Sequence, residues 1–118
     1  MSLELAVALG ALFGAPARYL LDRAIARRVG RRLPWGILAV NLLGSAAAGL
    51  LVGLAPAELL TTLVGVGFLG SFTTASTLAW DVLSIGGRSV RQAAMLLTLH
   101  VVPGLALAGL GLVVGRAL

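Results

Sequence analysis

The sequence predicts an all-α membrane protein with four transmembrane helices in a single domain that covers residues 1–118. The chain is 59% hydrophobic and only 11% charged, whereas a soluble domain carries about 25% charged residues. Four apolar segments each reach the roughly 20 residues that a transmembrane helix needs. All nine basic residues are arginines, and most of them lie between the apolar segments. A soluble monomer is therefore excluded.

The four spans are predicted at about residues 3–26, 35–54, 58–85 and 91–115. A turn with four arginines ends in Pro34, a residue that is favoured at the beginning of a helix. The second turn contains Pro56, and the third contains two adjacent glycines. Because such short turns leave no room for a soluble domain, we expect the function to lie within the bilayer.

The arginines also predict how the chain is oriented in the membrane. Six of them belong to the first and third turns, and only Arg116 lies toward the opposite side. Arginine is enriched in cytoplasmic loops, so loops 27–34 and 86–90 are predicted to be cytoplasmic, with both termini outside. The membrane would be the cell inner membrane or plasma membrane. The alternative is that loops this short tolerate charge on either side.

Pairs of glycines recur four residues apart in three of the spans. Such spacing allows helix backbones to approach closely in a membrane, where no hydrophobic effect drives helix association. We therefore interpret the following pairs as packing contacts: Gly10 and Gly14, Gly49 and Gly53, Gly111 and Gly115.

The third span predicts a break near the bilayer centre. Its midpoint, near residue 72, coincides with a cluster of five hydroxyl residues: Ser71, Thr73, Thr74, Ser76 and Thr77. Three glycines precede the cluster. Non-helical backbone at this depth is tolerated only inside protein or along a polar cavity, where its carbonyl groups can bind a cation and its N–H groups an anion. We interpret the cluster as an ion or small-solute site, with a purely structural kink as the alternative.

Three further polar residues lie within apolar spans. Asn41 either lines a pore or forms an interhelical hydrogen bond, and His100 either belongs to a polar path or bonds a helix neighbour. Arg18 has Asp22 four residues later, so an ion pair within the helix is expected.

Several classes of function lack the residues that they require. The four acidic residues all lie near span ends, whereas proton-coupled export needs an ionisable carboxylate deep in the membrane. No catalytic constellation is visible, so the chain is not expected to be an enzyme. There is no cysteine for a disulfide, and no basic face with stacking aromatics for nucleic acid.

Three motifs together resemble the Fluc/CrcB family of fluoride channels. They are GALFGAPARY from Gly10, PWG from Pro34 followed by NLLGS from Asn41, and GFLGSFTTASTL from Gly67. The resemblance implies a fluoride-specific channel subunit that lets fluoride leave the cytoplasm passively and so reduces its toxicity. It also implies an antiparallel dimer with two fluoride pores and a sodium ion buried at the interface.

The resemblance assigns roles to individual residues. The backbone carbonyls of Gly70 and Thr73 would hold the sodium ion, and Arg18 would support assembly or the pore entrance. The fluoride pathway would contain Asn41, Ser76 and Thr77 and, by a looser match, His100. Hydroxyl and amide groups can donate hydrogen bonds, as a pore that replaces the water around fluoride requires.

The chain departs from the family pattern in its third and fourth helices. Ala75 and Leu78 stand where the family has third-helix phenylalanines, and Leu96 and His100 stand where it has a tyrosine and serine track. Together with the fixed orientation, this favours one half of a heterodimer that pairs with a related chain of opposite orientation. A homodimer, a non-conducting partner subunit and a proton-coupled exporter of the small multidrug-resistance type remain the alternatives.

Overall fold

A computed structural model describes all 118 residues, and its regular structure is entirely helical. Four segments are long and apolar enough to cross a membrane, which confirms the predicted all-α fold with four spans. The first, second and fourth are single helices, whereas the third is a succession of shorter ones. In chain order the elements are α1 Leu3–Val29, α2 Trp35–Leu54, α3 Glu58–Leu60, a π-helix Thr61–Leu69, α4 Gly70–Phe72, α5 Ala75–Gly86 and α6 Val90–Ala117.

The charged turns are shorter than predicted. Helix α1 continues to Val29, so Arg27 and Arg28 lie in its last turn and the first loop comprises only residues 30–34. Arginine is a good helix former, and its positive charge is favourable at a helix C-terminus. The helix ends at Gly30, whose φ of 78° is readily adopted only by glycine.

The fourth span likewise begins one residue earlier than predicted. The hydroxyl of Ser89 accepts a hydrogen bond from the backbone N–H of Gln92 at 3.2 Å, which satisfies one of the free N–H groups at the start of α6. The third loop is therefore limited to residues 87–89.

Glycines hold the helices in close backbone contact. A Cβ atom added at Gly49 would overlap the carbonyl oxygen of Ala108 in α6, and one added at Gly10 would lie 2.6 Å from the backbone nitrogen of Phe68. Each glycine of the three predicted pairs faces the backbone of a neighbouring helix in this way. The interpretation of these glycines as packing contacts is thus confirmed.

The first and third loops lie at the same end of the bundle. Leu33 in the first loop packs against a buried cluster formed by Ile85, Ala93 and Leu96, around the third loop. At the opposite end, Gly53 of α2 approaches the backbone of Gly115 in α6. Six arginines are therefore gathered at one end of a molecule about 47 Å long.

Candidate ion site at the interruption of the third span

The third span is interrupted at Thr73 and Thr74. Thr73 has φ −78° and ψ 159°, and Thr74 has φ −149° and ψ 119°, so both residues are extended. Helix α4 ends just before them and α5 begins just after them. Because the last carbonyl groups and the first N–H groups of a helix lack partners within it, the interruption offers both kinds of group to other parts of the molecule.

Two of the five clustered hydroxyls donate hydrogen bonds to the preceding turn of the helix. Ser71 Oγ donates to the carbonyl oxygen of Gly67 at 2.8 Å, and Thr73 Oγ1 donates to that of Leu69 at 2.9 Å. Such hydrogen bonds to the previous turn are usual for hydroxyl residues in helices. These two side chains therefore stabilise the end of the first half of the span and do not offer free donors.

A third hydroxyl begins α5. Thr74 Oγ1 accepts a hydrogen bond from the Thr77 backbone N–H at 3.2 Å and donates to Thr77 Oγ1 at 3.1 Å. It also lies 3.3 Å from Ser76 Oγ. Thr74 is thus the N-cap of α5. Because a hydroxyl has one O–H and that of Thr74 is directed to Thr77, the contact with Ser76 uses the Ser76 O–H, which leaves Thr77 as the hydroxyl with a donor to spare.

Asn41 clamps the interruption from α2. Its Nδ2 donates to the carbonyl oxygen of Thr74 at 3.0 Å, and its Oδ1 accepts from the backbone N–H of Thr74 at 2.9 Å. The side chain therefore satisfies both backbone polar groups of one non-helical residue. One N–H of the amide is left for a ligand, because a primary amide has two donors.

Arg18 holds the other extended residue. Its Nη1 donates to the carbonyl oxygen of Thr73 at 3.2 Å across 55 residues of sequence. The expected ion pair between Arg18 and Asp22 does not form, and Asp22 instead pairs with Arg31 of the first loop at 3.4 Å. Thr73 is 55 residues away from Arg18, and Arg31 is nine residues away from Asp22, so neither contact follows from a spacing of four residues.

An open groove of about 490 Å³ lies beside the interruption, between α2, the two halves of the third span and α6. It brings together four of the residues that were assigned to the site from sequence, namely Asn41, Gly70, Thr73 and His100. Ser76 and Thr77 are not part of its lining. The assigned fluoride-pathway residues are therefore divided between different surfaces of this chain.

Thr77 lies in a smaller cavity of about 210 Å³ at the arginine-rich end. The lining of this cavity also includes two carboxylates, Asp22 and Asp81, together with Arg31. Negative charge repels an anion, and only Asp22 is paired with a cation. The Thr77 hydroxyl is thus accompanied by acidic groups, whereas the groove at Asn41 contains no charged side chain.

His100 is buried, with 7% of its surface exposed. Its Nδ1 lies 3.0 Å from the carbonyl oxygen of Leu96, and Nδ1 must be the donor because a carbonyl oxygen only accepts. Nε2 is buried without a partner. In the neutral ring Nε2 is an acceptor, so this tautomer offers no N–H to an anion in the groove.

The carbonyl groups of Gly70 and Thr73 have the chemistry that a sodium ion requires, since hard cations bind oxygen. Both residues line the groove, and the nearest atom to a Cβ placed at Gly70 would be 3.8 Å away. Two carbonyl groups are an incomplete coordination shell, and the guanidinium of Arg18 already donates to one of them. This chain by itself therefore does not provide a complete cation site.

Aromatic side chains are absent from the groove. Ala75 and Leu78 contribute to its lining, while Phe72 is buried and stacks on Phe68 with ring centroids 5.7 Å apart. The edge of an aromatic ring carries the positive partial charge that suits an anion. Within a single chain, this groove provides no aromatic ring edge.

Sequence reasoning left two residues of the site without a role. Thr74 was grouped with the other hydroxyls, although a threonine just before a helix with a backbone donor three residues later is the pattern of an N-cap. Ser45 lines the groove and donates to the carbonyl oxygen of Asn41 at 2.9 Å. No local signal separates Ser45 from an ordinary helical serine.

Comparison with known proteins places this arrangement in a family. The family model described as CrcB-like protein, Camphor Resistance (CrcB), matches residues 5–112. The chain belongs to this family. The match includes the second and third spans with the interruption and most of the first and fourth spans, and it confirms the family resemblance of the motifs.

Relatives within the family match almost the whole chain. The fluoride-specific ion channel FluC 1 of Geobacillus kaustophilus is 46% identical over 117 residues, which cover 98% of this chain and 100% of the relative. The fluoride-specific ion channel FluC of Magnetococcus marinus is 47% identical over 93% of this chain and 94% of its own length. A protein of the same name from Sphingopyxis alaskensis is 40% identical over 95% and 94%, respectively.

Proposed function

We propose that this chain is a subunit of a fluoride-specific ion channel that lets fluoride leave the cytoplasm passively and so reduces its toxicity. The observation that carries the proposal is the clamped interruption at Thr73 and Thr74 beside an uncharged groove, in a chain whose family relatives bear that name. The groove combines an amide donor with backbone groups, and it lacks the carboxylate that proton-coupled export requires. No observation favours such an exporter.

The conducting unit would be an antiparallel dimer in the cell inner membrane or plasma membrane. The open groove and the half-complete set of carbonyl ligands both support a second chain, which would bring the matching carbonyl groups of its own third span. A sodium ion bound by Gly70 and Thr73 would neutralise part of the negative potential of those carbonyl groups. Arg18 would keep the Thr73 carbonyl in place through its hydrogen bond.

A specific observation favours a dimer of two related but different chains. Ala75 and Leu78 line the groove without an aromatic ring, and the six arginines at one end favour a single orientation. A partner of opposite orientation would supply the missing ring edges. The second candidate function is that of a non-conducting subunit within such a pair.

Fluoride efflux from liposomes tests the proposal. We expect liposomes that hold the wild-type protein, alone or with its partner, to release fluoride and retain chloride. The N41D variant should reduce the efflux at least about tenfold, because it replaces a donor with a carboxylate that repels anions. The variant introduces a negative charge into the groove, and it also removes the hydrogen bond that Asn41 Nδ2 donates to the Thr74 carbonyl oxygen.

The matched control is Q92E, which makes the same amide-to-carboxylate change on an exposed residue near the start of α6. This variant should retain wild-type efflux. Equal losses in both variants, or chloride release as fast as fluoride release, would contradict the proposal. Efflux only in the presence of a related second chain would favour the heterodimer, and efflux from this chain alone would favour the homodimer.

A further inference from the structure

One exposed stripe of α1 combines aromatic and cationic side chains. Tyr19, Arg23 and Arg27 follow each other at intervals of four residues, and all three are exposed. Arg23 Nη1 donates to the Tyr19 hydroxyl oxygen at 3.1 Å, and its guanidinium carbon lies 5.9 Å from the centre of the ring. Residues four apart share one face of a helix, so these side chains form a continuous surface.

The position of Arg23 along α1 corresponds to the lipid headgroups. Helix α1 has 27 residues and is therefore about 40 Å long, whereas the hydrocarbon core is about 30 Å thick. Gly14 of α1 packs against Ser71, next to the predicted midpoint of the third span, and Arg23 lies nine residues further along the helix, which is about 14 Å and close to half of the hydrocarbon thickness. Tyrosine is enriched at the same level of a membrane.

The guanidinium of Arg23 lies along the surface of α1. The hydrogen bond to Tyr19 holds it there beside the tyrosine ring. A guanidinium has five N–H donors, and the protein accepts only this one hydrogen bond from it. The sole ion pair of the chain involves Arg31 and Asp22, so Arg23 and Arg27 have no carboxylate partner.

Apolar side chains continue the stripe toward the membrane centre. Leu20, Phe13 and Leu12 are 62%, 66% and 63% exposed. The surface thus has a cationic end at headgroup depth and an apolar strip about as long as the acyl chains of one leaflet. This division matches the shape and charge of a phospholipid and does not match a free phosphate ion, which has no apolar part.

We propose that Tyr19, Arg23 and Arg27 form a binding site for the phosphate group of an anionic phospholipid in the leaflet at the arginine-rich end. Arg23 and Arg27 donate hydrogen bonds to the phosphate oxygens, and Tyr19 positions Arg23. The acyl chains lie along Leu20 and Phe13. An anionic lipid is favoured over phosphatidylcholine because the unpaired arginines repel the choline cation.

Native mass spectrometry of the purified full-length protein tests the site. The detergent-solubilised protein is titrated with phosphatidylglycerol, with phosphatidylcholine and, separately, with phosphatidylglycerol in the presence of excess inorganic phosphate. We expect phosphatidylglycerol adducts at lipid concentrations at which phosphatidylcholine adducts are absent, and no displacement by phosphate. The R23Q variant should need about tenfold more phosphatidylglycerol for the same occupancy, since hydrogen bonds to charged groups are strong ones.

Two further variants separate the proposed site from general charge. R116Q removes one arginine at the opposite end of the molecule and should bind phosphatidylglycerol as the wild type does. Y19F should weaken binding less than R23Q, and the double variant should bind no more weakly than R23Q alone, because Tyr19 acts through Arg23. Circular dichroism verifies that each variant keeps its helical content.

Several outcomes would overturn the proposal. Equal binding of the two lipids would show that negative charge is not recognised, and displacement by phosphate would show a simple anion site. Equal losses in R23Q and R116Q would assign the effect to net charge. A change in oligomeric state in R23Q without a change in lipid binding would assign the stripe to contacts with a second chain. None of these readouts depends on fluoride transport.

Discussion

At the scale of single residues, the hydroxyl cluster divides into side chains with different tasks. Ser71 and Thr73 bond the preceding turn, whereas Thr74 caps α5. The interruption therefore depends on one hydroxyl more than on the others. A hydroxyl that caps a helix supplies an acceptor for a backbone N–H that has no partner within the helix. A hydroxyl that bonds the previous turn adds little, because the carbonyl group there is already hydrogen-bonded within the helix.

The variant T74V measures this difference. Valine has the same shape as threonine, but it cannot accept the hydrogen bond from the Thr77 N–H. We expect a loss of about 0.5–2 kcal/mol in the free energy of unfolding, as for other N-cap substitutions. Equilibrium unfolding in mixed detergent micelles provides the measurement.

T98V is the matched control, since Thr98 Oγ1 only donates to the Ala94 carbonyl in the previous turn of α6. Its stability should stay within about 0.5 kcal/mol of the wild type. If T98V destabilised the protein as much as T74V, the loss would be a general effect of removing a hydroxyl from a membrane helix.

At the scale of the elements, small residues determine how closely the helices pack. Helices α2 and α6 approach until the backbone of Ala108 occupies the place where Gly49 would carry a side chain. In a membrane this contact has to come from van der Waals packing, because lipid is as apolar as the helix surfaces. The glycine pairs in the sequence predicted these contacts, but they did not predict which helix each pair would meet.

The G49A variant tests this contact. The added methyl group collides with backbone that cannot rotate away, and we expect a cost of about 1–3 kcal/mol from overpacking. A lower thermal midpoint of the purified protein would be the readout.

The G109A variant makes the same change in α6 at a position where a Cβ would meet nothing within 4 Å. Alanine is the better helix former, so this variant should be as stable as the wild type or slightly more stable. Equal destabilisation by both variants would contradict the assignment of Gly49 to a close contact.

At the scale of the whole molecule, charge is distributed unevenly along the long axis. The first and third loops meet at one end, which gathers six arginines there and leaves Arg116 near the other. Clustered arginines hold a loop on the cytoplasmic side during insertion. In the proposed antiparallel dimer, a chain with this asymmetry would need a partner that inserts in the opposite direction.

Reporter domains fused to the C-terminus test the orientation in cells. We expect signal from outside the cytoplasm only, since arginine-rich loops favour the cytoplasm. Replacement of Arg27, Arg28, Arg31 and Arg32 by glutamine should give a mixture of both orientations. R116Q should keep the single orientation, and equal signals from both sides in the wild type would refute it.

The sequence by itself determined the four spans, the family and the place of the interruption. Length and hydropathy of a span are properties of consecutive residues, and the hydroxyl cluster at residues 71–77 predicts a break in the third span without reference to the rest of the chain. The end of α1 and the start of α6 do not follow from the sequence, because Arg27, Arg28 and Arg91 are compatible with either a loop or the end of a helix.

Only the tertiary structure decided which polar groups meet. Asn41 bonds Thr74 across 33 residues and Arg18 bonds Thr73 across 55, whereas the local spacing favoured an ion pair between Arg18 and Asp22. The same packing separates Thr77 from the groove that contains Asn41 and His100. A buried polar group bonds whichever partner the packed helices bring near it, and sequence distance does not encode that proximity.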